Sequence, residues 1–108
     1  MDPKLDLKWW KVLEQLDFAL QPIVSVHTGM VYGFEALLRN WDQAGFTSIQ
    51  DVFDKAFGDQ QLYGVDLTLR SIAMDKFLLT GFHKSKKLFY NLDNRVLTMP
   101  DYSPGNTV

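Results

Sequence analysis

A chain of 108 residues, 46% apolar and 14% aromatic, can fill the core of one small domain. Its net charge of −2 and lack of a basic stripe argue against a duplex DNA or RNA binder, which needs clustered Lys and Arg against the phosphates, and leave a small nucleotide ligand open. With no cysteine there is no disulfide framework, thiol nucleophile or thiolate zinc site; with no apolar run near the roughly 18 residues of a membrane span and no signal-peptide layout in MDPKLDLKWW, the expectation is a cytoplasmic chain without membrane contact.

Asp2-Pro3 reads as a helix start, and Leu5, Trp9, Val12, Leu13 and Leu16 follow at helical spacing, so residues 1–17 form a lead-in helix. The Trp9-Trp10 pair could stack on bases, but an aromatic pair at a helix's apolar edge is the mark of core or interface, and we read it so. Two runs rich in apolar residues, Phe18 to Val26 and Met30 to Arg39, flank His27-Thr28-Gly29 and predict an antiparallel hairpin. The second run carries apolar groups on both parities, as a strand covered on both faces does, and this predicts a buried Glu35. Trp41 to Thr47 is a polar loop, with Trp41 capping the core.

Ser48 with Asp51 resembles a capping box, and Ile49, Val52, Phe53, Ala56 and Phe57 trace one face of a short helix that Gly58 ends. A second helix is predicted from Gly64 to Thr80-Gly81, burying Val65, Leu69, Ile72, Ala73 and Phe77, with an Asp66–Arg70 pair on its flank. The basic run His83 to Lys87 reads as solvated loop, Leu88 to Asp93 as a strand, and Asn94 to Leu97 as a turn before an aperiodic end. The order is helix, strand, strand, helix, helix, strand. A crossover through helices favours parallel pairing of the second and third strands, the opening of an α/β sheet or barrel.

An ionised carboxylate held out of water costs several kcal/mol by rough estimate unless a cation, a metal or several donors meet it. Period-two geometry puts Glu35, Leu37 and Arg39 on one face, with Glu35 and Arg39 roughly 13 Å apart, too far to pair with each other. In a parallel barrel, Glu35 and Asn91 project from the carboxyl end, where such barrels build their sites, and both are hard oxygen ligands suited to Mg²⁺ or Mn²⁺. The residues alone also admit a carboxylate met by backbone amides or an arginine, and an asparagine that satisfies a strand edge or bulge.

Gln21-Pro22-Ile23-Val24, Thr28-Gly29 and Gly33-Phe34-Glu35-Ala36-Leu37-Leu38-Arg39 resemble the opening of the EAL family of cyclic di-GMP phosphodiesterases. The likeness continues through Val65-Asp66, Leu69 and Phe89-Tyr90-Asn91-Leu92, and covers nearly everything from Phe18 to about Leu97. It implies an α/β fold, the N-terminal part (18–108) of a modified (β/α)₈ TIM-like barrel with an antiparallel first hairpin. The implied reaction hydrolyses cyclic di-GMP to linear pGpG with Mg²⁺ or Mn²⁺. By the same resemblance Glu35 and Asn91 are metal ligands, Gln21 contacts the dinucleotide, and Leu37 and Arg39 line the phosphate side; Asp93 stands where the family commonly has Ser.

The family's domain is more than twice this long, and its later metal and catalytic motifs are not in this sequence. The expectation is therefore a barrel truncated after about its third strand, inactive alone, with a sheet edge that favours self-association. Two further readings are a non-catalytic cyclic di-GMP receptor or protein-interaction module, and a small α/β interaction domain with a fortuitous EAL-like opening.

Overall fold

Asp6 keeps an extended backbone, and its carbonyl accepts from the amides of Trp9 and Trp10, which opens helix α1 over Leu7–Leu13. The expected start at Asp2-Pro3 lies outside the described residues: the computed structural model describes residues 5–91, 93–99 and 101. One turn separates Trp9 from Leu13, and both are buried, while Trp10 faces solvent. Leu16 is buried beyond the helix end.

Strands β1 (Asp17–Val24) and β2 (Val31–Arg39) pair antiparallel, as the hairpin reading expects. Between them Ser25 donates its amide to Met30 O, and Gly29 sits at φ +69°, a left-handed conformation that a residue without Cβ adopts at no steric cost. Helix α2 spans Ile49–Gly58. Ser48 Oγ accepts from the Asp51 amide, and the Asp51 carboxylate reaches back to the amide of Thr47, one residue before the cap. Val52 and Ala56 are its buried line; Ile49 and Phe57, expected on the same face, stay partly exposed.

Helix α3 runs Leu62–Leu79, starting two residues before the expected Gly64, and ends where Gly81 turns left-handed at φ +77°. A 3₁₀ turn over Phe82–Lys84 leads into β3, Lys87–Phe89, which pairs parallel to β2 through Gly33, Phe34 and Glu35. Sheet order is β1-β2-β3. The third strand is shorter than Leu88 to Asp93 because its ladder on β2 stops at Glu35, so Asn91 stands in the loop beyond. A second 3₁₀ turn covers Asn94–Thr98, where a turn is expected. Among the described residues no helix is long and apolar enough to cross a membrane.

Alternation along the hairpin sorts the two sheet faces. Phe18, Ala36 and Leu38 are buried in one cluster with Leu69 and Ala73 of α3, Trp9 and Leu13 of α1, and Val52 and Ala56 of α2. Trp41 packs at the rim of that cluster, in keeping with a core cap. On the opposite face Ala19, Gln21, Glu35, Leu37 and Arg39 are half-buried or exposed. Double cover is thus not met by the described residues, and Glu35 is half-buried, not buried. Apolar residues on both parities of β2 record a sheet whose second face is open here, and the expectation of burial fails with it.

Candidate functional site

Register fixes the first part of the site. Gln21 on β1 stands directly opposite Glu35 on β2, so the two side chains project from neighbouring positions on the open face. Because β3 ends at Phe89, opposite Glu35, the residue two further on shares its parity and brings Asn91 to the same place. Asn91 Nδ2 donates to Glu35 Oε2 at 3.2 Å across 56 residues of sequence. Leu37 and Asn91 line a mainly apolar cleft of about 70 Å³ with Phe18, Leu38, Phe53 and Tyr90.

Arg39 is set apart from this group. It is exposed, four residues beyond Glu35, and its Nη1 donates to the carbonyl of Leu38 at 3.0 Å. A fork held, among the described residues, by one backbone oxygen keeps most of its donors for an anion. Four of the five expected residues therefore lie together and Arg39 stands further along β2.

Glu35 Oε1 and Oε2 with Asn91 Oδ1 are the hard oxygen donors suited to Mg²⁺ or Mn²⁺. Asn91 now turns its NH₂ to Glu35, so a shared cation requires its amide to rotate and present Oδ1. Among the described residues no group of three or more His, Asp or Glu side chains converges as a metal cluster, and the other positions of a coordination shell would fall to water or further ligands.

Behind the cleft lies a polar network that the sequence reading placed elsewhere. Asp66, expected on the flank of α3, is fully buried. Arg70 Nη2 donates to its Oδ2 at 2.9 Å and Tyr90 Oη donates to its Oδ1 at 3.2 Å, while the Arg70 guanidinium lies 5.2 Å from the Tyr90 ring centre. Burial pushes the Asp66 carboxyl above its ordinary range against the opposing pull of Arg70, and pushes the Tyr90 phenol up with help from the Asp66 charge. The i,i+4 spacing revealed the pair but not its burial, since helical periodicity says nothing about what β3 lays across the helix.

Asp93, whose role the resemblance leaves open, is structural. Its carboxylate accepts from the Arg95 amide and from the Arg95 guanidinium, which holds it below the usual carboxylate range. Arg95 also reaches Asp54 of α2 and lies 4.7 Å from the Phe57 ring centre, tying the residues after β3 to α2.

Comparison with known proteins finds no family model that matches the chain, and no curated protein or solved structure with significant similarity to it.

Proposed function

We propose that the chain is the opening segment of an EAL-type cyclic di-GMP phosphodiesterase domain, in which Glu35 and Asn91 hold a divalent cation, Gln21 meets the dinucleotide, and Leu37 and Arg39 border its phosphates. The observation that carries this reading is the meeting of Glu35, Gln21 and Asn91, from three separate elements, beside the parallel β2–β3 pair. A cation at Glu35 and Asn91 would polarise a phosphate oxygen and lower the pKa of an attacking water. Such a pair supplies only part of a coordination shell, so the chain by itself binds metal weakly and does not turn over substrate; the remaining ligands belong to further strands of the barrel.

Mn²⁺ titration followed by NMR tests this. Paramagnetic broadening is expected first at Glu35 and Asn91, with millimolar affinity, and is lost in Glu35→Gln and Asn91→Ala. Broadening spread over the surface carboxylates, or unchanged in both variants, overturns the metal assignment. Affinity in the micromolar range overturns the view that the site is partial. Cyclic di-GMP shifts at Gln21 and Arg39 that ignore Mn²⁺ favour a receptor over an enzyme.

A further inference from the structure

At the end of the sheet opposite the cleft, the hairpin connection 25–30 and the 3₁₀ turn before β3 come together, because β3 starts beside Gly33, near the start of β2. Phe82 stacks on Phe34 with centroids 5.0 Å apart, and Phe89 meets Tyr32 edge-on at 6.0 Å. Of the twelve large apolar side chains left exposed among the described residues, eight belong to the stretches 24–32 and 78–89. Two sit at protruding positions and are almost wholly in water: Val26 in the hairpin connection is 92% exposed, and Leu79, the last residue of α3, is 89% exposed.

Charge on this end is mainly positive, with Asp75 one turn before Leu79 on α3. Residues 18–34 and 76–92 contain no Asp or Glu, while Lys84, Lys86 and Lys87 stand together with His83, and His27 lies in the hairpin connection. Among the described residues none of Lys84, Lys86 and Lys87 forms an ion pair, unlike Lys76, which meets Asp17. Exposed apolar side chains at the same end as lysines without an ion pair among the described residues suit a surface that is apolar below and anionic above. A second copy of the chain is a poor occupant, because an isologous contact sets the lysine run of one copy against that of the other.

We infer that this end of the molecule is a peripheral binding surface for anionic lipid bilayers, with Val26 and Leu79 inserted at the headgroup level and Lys84, Lys86 and Lys87 against the lipid phosphates. It uses none of the residues of the Glu35 site. The expectation of no membrane contact rests on the lack of a spanning stretch, which surface docking does not require.

Vesicle sedimentation with the whole chain tests it, using phosphatidylcholine with and without phosphatidylserine. The expected result is co-sedimentation only with the phosphatidylserine vesicles, weakened by salt, and at least about tenfold weaker in Lys84→Glu/Lys86→Glu/Lys87→Glu. As the sequence has no cysteine, Val26→Cys carries a single environment-sensitive dye, whose emission is expected to shift blue on the anionic vesicles. Equal binding to both vesicle types, no binding, or a dye that stays in water overturns the proposal. So does binding to a polyglutamate peptide that matches the vesicle binding and survives Val26→Asp/Leu79→Asp, which makes the face a site for acidic proteins.

Discussion

The Phe89 ring occupies the space that Gly33 leaves open: a Cβ on Gly33 would stand 2.8 Å from that ring and 2.8 Å from the backbone oxygen of Lys87. An aromatic ring can turn aside, but the Lys87 carbonyl belongs to the strand paired with β2 and cannot move without disturbing the ladder. Gly33→Ala is therefore expected to destabilise the fold by about 1–3 kcal/mol, read as a lower urea midpoint at unchanged slope. Adding Phe89→Ala to it is expected to give no rescue, since the backbone clash remains.

Asp66 is the buried anchor between α3 and the segment after β3. Truncation by Asp66→Ala removes the buried carboxylate to which both Arg70 and Tyr90 donate, and is expected to cost about 3–5 kcal/mol. Tyr90→Phe removes one hydrogen bond and keeps the ring under Arg70, and is expected to cost about 1 kcal/mol. Urea unfolding of the two variants separates the effects, and equal losses would contradict this division of roles.

Acid should act on the fold through carboxyl groups shifted in opposite directions. Asp93, held down by Arg95, Asp59, held down by Lys8 and Trp9, and Asp17, held down by the Phe18 amide, all lie below the ordinary 3.8. Each contributes stability that is present above that pH and lost as pH falls through its own lowered value. Asp66 lies above 3.8 through burial, so the folded state holds its proton more tightly than the unfolded chain and its share of stability falls as pH rises through that window. Urea midpoints measured against pH are expected to drop below about pH 4, and Asp66→Asn is expected to remove the opposing slope above it.

Two adjacent tryptophans should behave as different residues. Trp9 is 2% exposed, stacks on Phe46 at 6.0 Å and donates from Nε1 to Asp59 at 2.9 Å, whereas Trp10 is 46% exposed. Trp9→Ala is expected to cost about 3–5 kcal/mol. Trp10→Ala is expected to stay within about 0.5 kcal/mol. Thermal melts by circular dichroism would show it, and comparable losses would mean that α1 is held by both.

Period and turn chemistry made the local elements legible. The hairpin follows from apolar runs broken at Thr28-Gly29, where φ is positive, and α2 from Ser48 and Asp51 serving the first turn. The parallel β2–β3 pairing follows from the crossover rule. These are short-range or topological consequences of residue type, and they hold whatever packs around them. Parallel pairing put Glu35 and Asn91 at the same end of the strand pair, but Asn91 reaches Glu35 from the loop past β3, and that contact was decided by the tertiary structure.

Burial was decided only by the tertiary structure. Glu35 is half-buried because no described helix covers its face of the sheet, and Asp66 is fully buried because Tyr90 and Arg70 close over it. Neither outcome is written in the spacing of its own strand or helix, since solvent exposure depends on which distant segment arrives. The basic run at Lys84–Lys87 and the apolar hairpin connection are 50 residues and more apart in sequence, and only the parallel docking of β3 beside Gly33 makes them one surface.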